Sequence, residues 1–177
     1  MRASALTGLV ALLAAAACQP NTSRPPFAPL LEAAGTEVRL PVKDATTHLA
    51  DALRNDSIPI GRVVPRDGYL ESPWFDTKSK RPVKGHRPLG LDVVRVRAWA
   101  DPSRPGSSQL SVETSYRVLA DPSLPERELD RQVPLNHPIG IKVEEVLKQL
   151  VQRYGGPPPP APSAQSAPAE PDADENQ

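Results

Sequence analysis

The chain has 177 residues, equal numbers of basic and acidic side chains, 38% hydrophobic residues, 23 prolines and one cysteine. A balanced charge lacks the basic stripe that a nucleic-acid surface needs, and a single cysteine excludes an internal disulfide and cysteine-rich zinc sites. Outside the first 17 residues and the acidic last 21, 20 basic side chains meet 17 acidic ones, and the length suits one domain.

The chain opens with Met1-Arg2 and an apolar run, Leu6 to Ala17, interrupted only by Thr7 and Gly8 and ending at Cys18. A basic start, a short apolar stretch and small residues form the plan of a signal peptide. A bilayer span needs about 20 apolar residues, and this run is too short. Ala15-Ala16-Ala17-Cys18 resembles a bacterial lipobox, with Ala15 where leucine is usual. The resemblance implies cleavage before Cys18, acylation of that cysteine and a membrane-tethered chain. Gln19, in place of an aspartate retention signal, implies the outer membrane, facing the periplasm. The alternative for Cys18 is an incidental free thiol, since cysteine is often buried.

Residues 18–36 are rich in Pro, Asn and Ser and read as a lipidated tether reaching about 60 Å when extended. Phe27, Leu30 and Leu31 are its only large apolar side chains and are candidates to dock on the domain or the bilayer. The single globular domain is placed at 37–156. Its first strand runs from Glu37 to Val42, with Val38, Leu40 and Val42 on one face. Asp44 then caps a helix with apolar positions Ala45, Leu49, Ala52 and Leu53, ending near Asn55-Asp56. Strands two and three, Ile58–Val64 and Gly68–Phe75, flank the turn Pro65-Arg66-Asp67-Gly68. Residues 76–90, basic and poor in apolar side chains, read as a mobile connector.

Strands four and five, Asp92–Trp99 and Leu110–Leu119, each carry one apolar face. Setting Ala98 opposite Val112 places Arg97 opposite Glu113, a charge pair that supports this register on what reads as the exposed face. Ala-Asp-Pro-Ser occurs at 100 and again at 120, each time as a strand terminator. Residues 124–138 read as a charged loop, after which Val143, Val146, Leu147, Leu150, Val151 and Tyr154 fall at helical spacing before Gly155-Gly156. Residues 157–177, rich in Pro and Ala with an acidic end, cannot bury enough apolar surface to fold alone. The expected fold class is α+β: an antiparallel sheet of about five strands with two helices on one face, in the order β-α-β-β-β-β-α.

This order, with Asp67-Gly68-Tyr69-Leu70-Glu71-Ser72-Pro73-Trp74, resembles the helix-grip domains of BamC-type lipoproteins over about residues 37–154. Ser72-Pro73 stands where that family more often has Thr-Asp. The Trp-Phe-Asp and Asp-Pro-Ser segments are also similar to an uncharacterised lipoprotein family, and neither likeness implies an activity.

His48, His86 and His137 are scattered without metal-ligand spacing, and the chain carries no nucleophile elbow, phosphate-binding loop or dinucleotide fingerprint. The chain is expected to be neither an enzyme nor a carrier of metal or cofactor. The expected function is a protein-binding module in envelope assembly or maintenance, its partners being the membrane through Cys18 and an envelope protein. Trp99, Arg95, Arg97, Tyr69 and Phe75 form the candidate binding surface, since Trp and Arg dominate interface hot spots; core filling is the competing role for the aromatics. Two other readings are a carrier of a small apolar ligand between helix and sheet, and a hydrolase built from loop carboxylates such as Glu126, Glu128 and Asp130.

Overall fold

A computed structural model describes residues 22–84 and 89–156; the leader, Cys18, His86 and the tail from Pro157 lie outside the described residues. The fold is α+β, with an open antiparallel sheet of seven strands and three helices. In chain order the elements are β1 (Ala34–Val38), α1 (Val42–Asn55), β2 (Arg62–Val64), β3 (Tyr69–Glu71), β4 (Phe75–Asp76), β5 (Val93–Pro102), β6 (Ser108–Arg117), the single turn α2 (Glu126–Leu129), β7 (Asp130–Gln132) and α3 (Pro138–Tyr154).

The two ten-residue strands β5 and β6 are the spine, because each is long enough for two further strands to share its outer edge. Their register sets Ala98 opposite Val112 and Arg97 opposite Glu113, as the alternation predicts. The other edge of β5 takes β4 at Val93 and Val94 and β3 at Arg97 to Trp99. Between them Ser72 keeps the ladder continuous: its N–H donates to Val96 O and its Oγ accepts from Val96 N–H, each at 2.8 Å. The outer edge of β6 is shared, with β1 along Ser108 to Val112 and β7 along Ser115 to Arg117. Val133 N–H, just past β7, donates to Thr114 O at 2.9 Å, so the pairing along this edge is interrupted at Glu113.

One sheet face is apolar. Val94, Val96 and Ala98 of β5 and Leu110 and Val112 of β6 are buried with Leu49 and Leu53 of α1 and Val143, Val146, Leu147 and Leu150 of α3. Both long helices thus lie on this face, as their apolar spacing predicts. His137 caps α3: its Nδ1 accepts from Ile139 N–H at 3.2 Å, which leaves the proton on Nε2, 3.1 Å from Leu91 O. Gly68 closes the β2–β3 turn at φ 63°, and a Cβ there would sit 2.2 Å from Ala100 O, so this position accepts glycine alone.

The structure corrects five expectations. The first strand occupies Ala34–Val38 instead of Glu37–Val42, because Pro41, in extended conformation, starts α1 and Val42 is its first helical residue. Asp44 lies in the first turn of that helix and is not its cap. The described part of the 76–90 connector is ordered: Asp76 Oδ1 accepts from the backbone of Lys78 and Ser79, and Val83 N–H bonds Trp74 O. The loop at 124–138 contains α2 and β7. The domain does not begin at 37, since residues 22–33, expected to be tether, lie against the second face of the sheet and form a strap across it.

Candidate functional site

Alternation along the strands puts Arg95, Arg97, Trp99 and Asp101 of β5, Glu113 and Arg117 of β6, Tyr69 and Glu71 of β3, and Asp130 of β7 on the face away from the two long helices. A charged face would ordinarily be solvated. Here Arg97 is 4% exposed, Glu113 0% and Asp130 1%, so every charge needs a partner.

Arg97 supplies the link. Its Nη1 lies 3.0 Å from Glu113 Oε1 and 2.9 Å from Asp130 Oδ2. Asp130 accepts a second bond from Arg117 Nε at 2.8 Å, and Arg117 Nη2 continues to Glu126 at 2.9 Å. Glu113 also receives Arg127 through both carboxylate oxygens, at 2.7 and 3.0 Å. Burial alone pulls the Arg97 pKa down, but Asp130 and Glu113 reverse this, and the net shift is upward. Burial, followed by the hydrogen bond its hydroxyl donates to Glu71 at 2.8 Å, pushes the Tyr69 phenol far above its ordinary value. Tyr69 therefore stays a neutral donor.

The strap closes this face. Arg24 forms a two-point ion pair with Asp101 at 2.7 and 3.0 Å. Ser23 donates from its backbone and its hydroxyl to Asp67 Oδ2 at 2.7 and 2.9 Å, and Arg62 donates to Ser23 O at 2.6 Å. Farther along, Arg127 donates to Ala28 O at 2.7 Å and Leu30 N–H donates to Glu113 Oε2 at 3.0 Å. Phe27 supplies the apolar contact: its ring meets Trp99 edge-on at 6.3 Å between centroids, with the guanidinium groups of Arg97 and Arg127 at 5.2 and 4.5 Å.

Of the predicted binding surface, Trp99, Arg97, Tyr69 and Arg95 do share one face, and Phe75 does not; it points into the helix-side core. Nor is the set exposed. Trp99 and Phe75 are fully buried and Tyr69 is 1% exposed, because the strap and the charge network cover Trp99 and Tyr69, while Phe75 packs into the helix-side core. The reading of Arg97 and Glu113 as solvent-facing is corrected for the same reason.

What is open lies elsewhere. Beside Thr114, where β1 and β7 meet on the edge of β6, a notch of about 880 Å3 runs between the strap end and the β7–α3 connection. Its apolar lining includes Leu30, Leu31, Val112, Val133, Leu135 and Val143, interspersed with Glu32, Arg131 and Glu144. Leu31 is 99% exposed and Leu135 89%. An isolated exposed leucine is ordinary, but two lining the same cleft put exposed apolar surface at one place. No residue of this lip except Leu31 and Leu30 stood out in the sequence, because Leu135 lies in an aperiodic Pro-rich stretch.

The buried carboxylates Glu113 and Asp130 each accept from two guanidinium groups, which holds them as anchors of the network. No group of three His, Cys, Asp or Glu among the described residues is placed to hold a metal ion. His48 stacks on Tyr154 at 4.7 Å and shares a 3.2 Å hydrogen bond with its hydroxyl, and His137 caps α3. No described helix is long and apolar enough to cross a membrane. No protein-family model matches this chain, and no curated protein matches it.

Proposed function

We propose that the chain is a lipid-anchored, non-enzymatic binding module facing the periplasm, which receives an apolar segment of an envelope protein in the notch between Leu31 and Leu135. The leader ending at Cys18 supports the anchor, and the open notch beside a face closed by ion pairs supports binding. The observation that carries the reading is that Leu31 and Leu135, both almost fully exposed, line one cleft together with Val112, Val133 and Val143. It replaces Trp99 and its neighbours as the contact surface.

The strap also revises the tether. Thr22 is only four residues beyond Cys18, a reach of about 14 Å against about 60 Å for a free 18–36 segment. An acylated Cys18 therefore holds the domain close to the bilayer.

The test combines fatty-acid labelling with site-specific photocrosslinking from position 135 in cells. The reading expects label on the wild type and none on Cys18→Ser. It also expects one discrete protein adduct that Leu31→Glu abolishes. Unlabelled wild type rejects the anchor, and the absence of a protein adduct rejects the notch as a protein site. A second reading, a carrier of a small apolar ligand, is favoured by the depth of the notch, which reaches Val112 and Val143. It predicts extraction of a stoichiometric apolar compound with the purified protein and none with Val143→Trp.

A further inference from the structure

The arginines of the closed face are paired with one exception. Arg24 meets Asp101, Arg62 meets Glu71, Arg97 meets Glu113 and Asp130, Arg117 meets Asp130 and Glu126, and Arg127 meets Glu113. Arg95, between these groups, has no ion pair among the described residues, and its Nε is buried without a hydrogen-bond partner. It is held by stacking: its guanidinium lies 4.5 Å from the centre of the Trp74 ring, which Arg117 also contacts at 4.8 Å. Burial, with Arg97 nearby, pulls the Arg95 pKa below its ordinary value, the signature of a cation short of compensating charge.

Arg95 opens onto a recess of about 290 Å3 lined also by Gly61, Arg62, Glu71, Ser72 and Pro73. The Ser72 hydroxyl is already engaged with Pro73 O and Val96 N–H, and the Glu71 carboxylate with Tyr69 and Arg62. The donors left for an occupant belong to Arg95 and to Arg62, whose side chain is 45% exposed. Two guanidinium groups lining one small recess, one of them set over an indole ring, suit a compact tetrahedral anion.

We propose that Arg95 and Arg62 form a binding site for a phosphate group. Arg62 also donates to Ser23 O at 2.6 Å, so the site lies where the strap begins, four residues from Cys18. That position makes a phospholipid headgroup the natural source, and this choice of source alone rests on the lipid-anchor reading. The pairing of Arg95 and Arg62 with phosphate stands without it.

The experiment uses the chain from position 18 onward carrying Cys18→Ser, so that no acyl chain contributes. Inorganic phosphate is titrated while Trp74 emission is followed against a Trp99→Phe background, and vesicles of phosphatidylglycerol and phosphatidylethanolamine are used in co-sedimentation. The site predicts saturable change with phosphate, weakened about tenfold or more by Arg95→Gln and also weakened by Arg62→Gln at a side chain 45% exposed, with circular dichroism and the melting temperature of each variant checked to show that the fold is kept. Binding to vesicles with the same dependence on both arginines identifies the headgroup; phosphate binding without vesicle binding identifies a free phosphate compound. No saturable response, or one unchanged in both variants, overturns the site, whatever the fate of the lipid on Cys18.

Discussion

Replacing Glu113 by glutamine keeps the side-chain volume and removes the charge on which the strap and the network converge. Glu113 Oε1 accepts from Arg97 and Arg127, and Oε2 accepts from Arg127 and Leu30 N–H. A glutamine supplies one acceptor oxygen, so whichever way the amide turns, its NH2 group faces two donors. If the oxygen stays with Arg97, the displaced donors are Arg127 and Leu30. Each hydrogen bond to a charged group contributes about 1.5 to 3 kcal/mol. The Arg127 share is discounted because its side chain is 20% exposed and turns to water. Arg97 keeps Asp130 but loses half of its buried counter-charge, for which the ceiling is about 3 to 5 kcal/mol on breaking a buried pair. The expected loss is about 2 to 4 kcal/mol, read by urea unfolding with an unchanged m-value, together with faster amide exchange at Leu30. A loss below about 0.5 kcal/mol with Leu30 still protected would refute the role given to Glu113.

Three further outcomes follow from the same geometry. Phe27→Ala removes a partly buried ring from Trp99 and two guanidinium groups and should destabilise by about 1 to 2.5 kcal/mol, with limited chymotrypsin cutting appearing at Leu30 and Leu31. Gly68→Ala forces a Cβ against Ala100 O at positive φ and should cost about 2 to 4 kcal/mol, which a thermal melt of the domain detects. The backbone and then the hydroxyl of Ser23 hold Asp67 below its ordinary pKa of 3.8. A depressed carboxylate contributes its hold above the ordinary value and loses it as pH falls through the lowered one, so exchange at Ser23 and Arg24 should accelerate only below the usual aspartate range. Asp67→Asn should show that faster exchange already at neutral pH.

Much of the sheet was legible because β5 and β6 alternate over ten residues, and the Arg97–Glu113 match fixes their register. The same alternation misled about solvent. A strand pattern says which side chains share a face, and nothing in it says that the face will be covered. The strap has no period, since Pro25, Pro26 and Pro29 prevent both ladder and helix. It is held by groups distant in sequence, such as Ser23 with Asp67 and Ala28 with Arg127. Composition therefore reads it as linker. The element β7 escaped notice for another reason: three residues are too few to show alternation, yet they deliver Asp130 to Arg97 and Arg117. Leu40-Pro41-Val42 continued the first strand in pattern, but proline in extended conformation suited a helix start equally well.

Amide exchange at Leu30, measured on the chain from position 18 with Cys18→Ser, asks whether the N-terminal segment belongs to the domain. Its N–H is predicted to exchange slowly, with protection that falls in both Glu113→Gln and Phe27→Ala while the β5–β6 amides stay protected. Exchange at the rate of an unstructured peptide in the wild type would contradict the strap, the closed charged face and the short distance from Cys18 to the domain.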